Sequence, residues 1–239
     1  MTVDVVLVAH GTRNPRGLAT VAELAAGLTG RLGPVRTAFV DVLGPNPREV
    51  LAEATAPAVV VPAFLASGYH VRTDLPARIA ESGRRDVAVT RALGPDPVLA
   101  AVMRARLVEA GWRPGDTVVM AAAGSSDPAA RRDLVRAANL LAARLGPQGS
   151  PVHLGFVATG RPTVAELVDR LRRPRRRVYI ASYLLAPGVF ADRLADAGAD
   201  GVAAPLGAHP DLVALLGRRV VEARARRLSS TSRDSQNRR

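Results

Sequence analysis

The segment VDVVLVAHGTRNP, residues 3–15, decides how the chain is interpreted. Its first seven residues form an almost unbroken apolar run, which is typical of a strand buried on both faces of a parallel sheet. His10 and Gly11 follow at once, and Thr12 and Asn14 come before a helix whose free N–H groups could receive an anion. The segment therefore predicts a strand, a short turn that carries a histidine, and a helix.

The same alternation of short apolar runs and longer Ala/Leu/Arg segments continues along the chain. Strands are predicted at 3–9, 35–41, 59–63, 87–89, 116–122, 152–158, 177–182 and 201–203. Helices are predicted between them at 15–32, 46–54, 73–83, 96–110, 128–145, 163–172, 189–198 and 210–227. Strands that alternate with helices predict an α/β protein with parallel sheets. The basic run 172–177 is interpreted as a loop between a helix and a strand.

Several motifs occur twice in the same order. HGTRNP at 10–15 is matched by AGSSDP at 123–128, and LGPDP at 93–97 by LGAHP at 206–210, both 113 residues apart. Phe64-Leu65 is matched with Tyr183-Leu184. We therefore predict two similar halves, 1–112 and 113–225, each a four-stranded parallel sheet flanked by helices, with a cleft between them. Residues 226–239 are predicted to form a basic, disordered tail.

Composition excludes several classes of function. The chain has 239 residues and a formal net charge of +12, and all 33 basic residues are arginine. Because residues 218–239 alone contribute +6 and aromatic residues are 3% of the chain, no nucleic-acid partner is expected. The absence of cysteine excludes disulfides, thiolate metal sites and cysteine nucleophiles. No run of membrane-spanning length and no signal peptide is found, so a cytoplasmic protein without a membrane partner is expected.

The candidate catalytic residues follow strands of the first half. Ligands of open parallel sheets bind beyond the carboxyl ends of the strands, where His10, Asp41 and the loop 66–70 with His70 are expected. The two imidazoles could share a divalent metal ion, and Asp41 could orient an imidazole or accept a proton. The alternatives are local: a strand-terminating role for His10, a capping role for His70 and a turn-forming role for Asp41.

The second half differs from the first at these positions. Ala123 stands where the repeat places the partner of His10, and no histidine follows the third strand of the second half. One active site for the whole chain is therefore expected. His153 lies inside a predicted strand and His209 lies just before a helix, so structural roles are expected for both.

Three kinds of site are compared at His10-Gly11. A histidine phosphatase needs an arginine directly before its nucleophilic histidine, and this chain has Ala9 there. A dinucleotide site needs a G-x-G-x-x-G motif after the first strand, which is absent. Metal handling by His10 and His70 is the preferred interpretation, and a phosphomonoesterase is the weaker alternative.

At this point the motifs resemble those of a known family. LVAHGTRNP at 7–15 and FLASGYHVRTDLP at 64–76 are similar to motifs of the sirohydrochlorin chelatases of the CbiX type. YLLAPGV at 183–189 and APLGAHP at 204–210 fit the corresponding segments of the second half, so the resemblance covers residues 3–217. It implies the fold of the class II tetrapyrrole chelatases, in which two α/β halves enclose the site in a cleft.

The resemblance also implies an activity. Members of the family are lyases that insert a divalent metal ion into sirohydrochlorin, iron(II) toward siroheme or cobalt(II) toward cobalamin, with nickel(II) as a further candidate. The two motif histidines are the metal-binding and catalytic residues of the family, which carries over to His10 and His70. An acidic residue, often Glu, ends the second strand, and Asp41 keeps its charge at a shorter length.

The substrate implied by the resemblance carries eight peripheral carboxylates, which suit arginine side chains. The residues expected to bind it lie near the predicted strand ends: Thr12, Arg13, Ser67, Gly68, Arg72, Ser125, Ser126 and Arg161. No permanently bound cofactor is expected, since the metal ion is a substrate. A non-enzymatic tetrapyrrole or metal carrier that uses the same cleft is an alternative. The protein is expected to be a monomer or a homodimer.

Overall fold

The computed structural model describes residues 3–147 and 151–236, which form two four-stranded parallel sheets with helices on their faces. The first half contains β1 (Asp4–Ala9), α1 (Pro15–Leu32), β2 (Val35–Phe39), α2 (Pro47–Ala52), β3 (Ala58–Pro62), α3 (Leu75–Glu81), β4 (Val87–Val89) and α4 (Pro97–Glu109). The second half contains β5 (Thr117–Gly124), α5 (Pro128–Leu145), β6 (Val152–Thr159), α6 (Val164–Leu171), β7 (Val178–Tyr183), α7 (Val189–Ala195), β8 (Gly201–Val202) and α8 (Pro210–Gln236). The predicted fold class is confirmed.

The two sheets share one topology. Their strand orders are β2-β1-β3-β4 and β6-β5-β7-β8, and all neighbouring strands are parallel. Val6 pairs with Val60, and the equivalent Val119 pairs with Ile180. This register makes Tyr183 equivalent to Ala63, so the sequence match of Phe64 with Tyr183 is one residue out. Phe64 and Tyr183 are both aromatic, but they do not occupy equivalent positions in the two sheets.

The halves exchange their last helices. α4 contacts β7 and α5 of the second half, whereas α8 contacts α1, β3 and β4 of the first half. A single apolar core between the two sheets therefore includes residues from both halves, such as Leu24 on α1, Met103 on α4 and Leu216 on α8. Two further cores lie on the outer faces, under α2 and α3 and under α6 and α7. None of the described helices is long and apolar enough to cross a membrane.

The C-terminal helix differs from the sequence expectation. A disordered tail was expected from residue 226, but α8 continues to Gln236. Arg226, Arg227 and Leu228 are good helix formers, and adding a residue to an existing helix costs far less than starting a new one, so α8 continues into the Ser-rich residues 229–236. Residues 237–239 of the expected tail lie outside the described residues.

Arg219 ties α8 to the first half. Its side chain is 5% exposed, and Nη2 lies 3.1 Å from Oδ2 of Asp96. Nη1 donates to the carbonyl oxygen of Ala92. The other oxygen of Asp96 accepts the N–H of Val98 at 3.0 Å and so caps α4. One carboxylate therefore joins the two exchanged helices.

We expect Arg219→Ala to lower the free energy of unfolding by about 3 kcal/mol, because it leaves the half-buried carboxylate of Asp96 and the buried carbonyl group of Ala92 without the guanidinium that binds both. Urea unfolding followed by circular dichroism measures this. Arg218→Ala is the matched control, since Arg218 is exposed on the same helix, and it should change the free energy by less than about 0.5 kcal/mol. Equal effects of the two substitutions would contradict the assigned role of Arg219.

Candidate metal site

Two imidazoles meet at the carboxyl edge of the first sheet. His10 is exposed and directly follows β1, and His70 follows the loop after β3. Because β1 and β3 are neighbouring parallel strands, the segments that leave them start side by side. The ring centroids of His10 and His70 are 4.8 Å apart, with an interplanar angle of 82°. The structure therefore brings together the two histidines that the sequence placed at this edge.

Gly11 allows the end of β2 to pack against the end of β1. Gly11 has φ +99°, and a Cβ atom there would lie 2.0 Å from the carbonyl oxygen of Asp41. The N–H of Asp41 donates to the carbonyl oxygen of His10 at 2.9 Å. Only glycine fits this contact, so the His-Gly pair is a geometric requirement of the site.

Asp41 forms a turn at the end of β2. Its Oδ1 accepts the N–H of Val42 at 2.8 Å, and Val42 has φ +67°, a strained conformation for a β-branched residue. Asp41 was expected either to act on an imidazole or a proton, or to form a turn. The observed hydrogen bond is the one expected for a turn. The side chain is nevertheless exposed beside the segment that carries His10.

His70 begins one turn of π-helix, His70–Asp74, which leads into α3. Nδ1 of His70 lies 3.2 Å from Oδ2 of Asp74, and Oδ1 of Asp74 accepts Nε–H of Arg78 at 3.0 Å. A carboxylate on Nδ1 favours the tautomer with the proton on Nδ1, which leaves the Nε2 lone pair free for a metal ion. Sequence reasoning did not identify Asp74. The available signal was its spacing of four residues from His70, which places both on one helical face.

Aromatic rings surround His70. Phe64 stacks on the imidazole with a centroid distance of 6.2 Å and an interplanar angle of 21°. Tyr69 contacts it edge-on at 5.7 Å and is 60% exposed. These contacts restrict the orientation of the imidazole and place apolar surface beside it.

The second half holds the loop that carries His70. The N–H of Ser67 donates to Oδ2 of Asp133 at 2.8 Å. The hydroxyl of Tyr183, on β7, donates to the carbonyl oxygen of Leu65 at 2.8 Å. A Cβ atom on Gly68 would lie 3.4 Å from Cβ of Ala130. The imidazole pair therefore lies where the two halves meet.

The second half offers no equivalent imidazole pair. By the register of the sheets, Ala123 corresponds to His10, and residues 184–190, which follow β7 as the loop with His70 follows β3, contain no histidine. Across residues 3–147 and 151–236, no three His, Asp or Glu side chains form a ready metal-binding group. The arrangement is therefore a pair of imidazoles on one half, with no third His, Asp or Glu side chain grouped with them to hold a metal ion among the described residues.

The predicted hydroxyl groups take part in helix-capping turns. Oγ1 of Thr12 accepts the N–H of Asn14, and Oγ of Ser125 accepts the N–H of Asp127, both at 3.1 Å. Asn14 and Asp127 in turn cap α1 and α5. The two motifs matched in sequence thus form equivalent turns.

The other predicted substrate-binding residues differ in their surroundings. Arg13, Arg72 and Ser126 are exposed near the strand ends. Arg161 is also exposed but donates to the carboxylate of Glu166. Ser67 and Gly68 pack against the second half, as described above. Substrate binding by these residues stays a prediction.

The two halves of the chain match the same sequence family. The model of the CbiX family matches residues 4–110 and again residues 117–223, so each half carries one copy. The chain belongs to the CbiX family. No curated protein matches it.

Three solved structures, two of SirB and one of CbiX, share the fold of both halves together. SirB from Bacillus subtilis, solved with Fe3+, has a TM-score of 0.80 at 22% identity, over 93% of this chain and 96% of that one. SirB from Bacillus subtilis subspecies spizizenii, in complex with cobalt, has a TM-score of 0.76 at 21% identity, over 93% and 95%. CbiX, described as the terminal enzyme for biosynthesis of siroheme in denitrifying bacteria, has a TM-score of 0.67 at 24% identity, over 92% and 99%.

The other two histidines of this CbiX-family chain make local contacts. His153 is half-buried on β6, where burial and the nearby Arg170 lower its pKa. Nδ1 of His209 accepts the N–H of Asp211 at 3.2 Å, at the start of α8. Both observations agree with the structural roles expected from the sequence.

We expect Asp74→Ala to change the tautomer of neutral His70. Nitrogen-15 NMR of the imidazoles at pH 8 should show the proton of His70 on Nδ1 in the wild type. In the variant it should show the ordinary mixture of tautomers, because the acceptor for Nδ1–H is gone.

Asp41→Ala is the control, since the carboxylate of Asp41 accepts from Val42 and not from His70. A His70 tautomer that is the same in the wild type and in Asp74→Ala would show that Asp74 does not position the ring.

Proposed function

We propose that this protein is a sirohydrochlorin chelatase, a lyase that inserts iron(II) or cobalt(II) into sirohydrochlorin. The observation that carries the proposal is the His10–His70 pair, with ring centroids 4.8 Å apart where the two halves meet. Membership of the CbiX family supports it, as do related folds solved with Fe3+ and with cobalt. The reaction joins one M(II) ion to the macrocycle and releases the two pyrrole protons.

In this proposal, the imidazoles present the metal ion on one face of the macrocycle. Two neutral nitrogen ligands hold a divalent ion less tightly than a closed four-ligand site, so the ion can pass to the four pyrrole nitrogens. Because the contact with Asp74 favours the proton on Nδ1, Nε2 of His70 is the nitrogen that binds the metal ion in this proposal. Imidazole accepts iron(II), cobalt(II) and nickel(II) alike, so the donor set is compatible with either the siroheme or the cobalamin pathway.

The two pyrrole protons need acceptors. An imidazole that has released its metal ion can take one, because its free ring nitrogen is a proton acceptor. Asp41 is the second candidate, since its carboxylate is exposed at the neighbouring strand end. We propose that Asp41 accepts a proton through a water molecule.

Exposed guanidinium groups near the histidines suit the carboxylates of the substrate. Arg13 and Arg72 each lie within three residues of a candidate ligand, and both are exposed. The aromatic ring of Tyr69, which contacts His70, offers apolar surface to the macrocycle of the substrate. The two halves that meet at the site belong to one chain, so a monomer is sufficient for the proposed reaction.

The first test follows the absorption spectrum of sirohydrochlorin with cobalt(II) or iron(II). The double variant His10→Ala, His70→Ala should lower the rate of metal insertion at least about a hundred-fold, because both nitrogen ligands are lost. It should still bind the pigment. His209→Ala is the control and should keep the rate.

Two outcomes would contradict the proposal. A wild-type protein that binds sirohydrochlorin without accelerating metal insertion is a carrier. A wild-type protein that instead releases phosphate from a monoester, with a phosphorylated His10, is a phosphatase.

A second test concerns Asp41 alone. Asp41→Asn should lower kcat at least about ten-fold, because the amide does not accept a proton. The Kd for sirohydrochlorin should stay unchanged, and Asp41→Glu should restore most of the rate. An unchanged kcat in Asp41→Asn would show that the carboxylate serves only the turn with Val42.

A further inference from the structure

A groove rich in arginine lies at the opposite end of the second sheet. It has a volume of about 670 Å³. We call it the arginine groove, and its lining residues are Arg172, Arg173, Pro174, Arg175, Arg176, Arg177 and Asp200. The loop 172–177 enters β7 at its amino end, whereas the imidazole pair lies at the carboxyl edge of the sheets. The six residues of β7 span about 20 Å, so the groove is separate from the candidate metal site.

The backbone of this loop is strained at an arginine. The N–H of Arg176 donates to the carbonyl oxygen of Arg173 at 3.1 Å, which closes a β-turn with Pro174 and Arg175 at its centre. Arg175 has φ +67°. A positive φ at the second central position is typical of a type II turn, where glycine is the usual residue. Strained non-glycine residues of this kind cluster at ligand-binding sites.

Most of the positive charge in the groove has no acidic partner. Arg177 pairs with Asp116, with Nη2 2.8 Å from Oδ2. Asp200 already accepts the N–H of Val178 at 2.8 Å. Within residues 3–147 and 151–236, no carboxylate lies within ion-pair distance of the four exposed side chains that remain, those of Arg172, Arg173, Arg175 and Arg176.

We propose that the arginine groove binds a small polyanion that carries two or more phosphate or carboxylate groups. Planar guanidinium groups bind both kinds of oxyanion in bidentate fashion. The groove is open, because all of its lining residues are exposed, so the guanidinium groups rather than enclosure would hold the anion. The lining residues include no aromatic ring on which a base could stack, which favours a small anion over single-stranded nucleic acid.

Isothermal titration calorimetry at low salt tests the proposal with tripolyphosphate and, separately, with citrate. The wild type should bind at least one of them at one site, and the comparison of the two shows whether phosphate or carboxylate is preferred. The triple variant Arg173→Gln, Arg175→Gln, Arg176→Gln should weaken binding at least about ten-fold.

The control triple variant is Arg48→Gln, Arg104→Gln, Arg136→Gln. These exposed arginines lie on α2, α4 and α5, so the control removes the same charge elsewhere and should change affinity less than about three-fold. Equal losses in the two variants would overturn the proposal, because they would show an effect of net charge alone. Binding of a single-stranded oligonucleotide without binding of either small anion would also overturn it.

Arg175→Gly separates binding from folding. Glycine adopts the positive φ without strain, so the midpoint of thermal unfolding should stay the same or rise. The affinity for the bound anion should nevertheless fall, because one guanidinium is lost. An unchanged affinity would remove Arg175 from the site, and a lower midpoint together with lower affinity would show that Arg175 serves only the fold of the loop.

Discussion

The candidate site depends on one constraint: neighbouring parallel strands end at the same edge of a sheet. β1 and β3 are paired in register, so the residues that leave them start side by side although sixty positions separate His10 from His70. Gly11 then lets the end of β2 pack against the same edge. Without this pairing, two imidazoles at these positions would have no reason to meet.

Duplication followed by divergence explains why the chain carries two halves and one imidazole pair. The second half has Ala123 at the position of His10 and no histidine among residues 184–190, which follow β7. It still supports the site, since Asp133 and Tyr183 hydrogen-bond the backbone of the loop that carries His70. One half therefore provides the imidazole pair and the other fixes the position of the loop that carries His70. The exchange of α4 and α8 joins both halves through a single core, in which a shift of one half would disturb the other.

Features of the fold that depend on short sequence patterns could be predicted from the sequence. Buried strands appear as apolar runs and helices as longer periodic segments, so the elements and the two sheets could be predicted, as could the shared edge of His10 and His70. Asp74 was missed because its spacing of four residues from His70 matters only in a helical turn, and the helix was predicted to begin at residue 73, whereas the π-helical turn begins at His70. The helix exchange and the extension of α8 to Gln236 depend on tertiary packing and on helix propagation, which periodicity does not specify.

The central claim is that His10 and His70 bind one metal ion together. X-ray absorption spectroscopy of the protein loaded with cobalt(II) measures this most directly, because it counts the imidazole nitrogens bound to the metal. The account predicts two such nitrogens in the wild type, one in His10→Ala and in His70→Ala, and none in the double variant. A cobalt(II) spectrum that is the same in the wild type and in both single variants would contradict it.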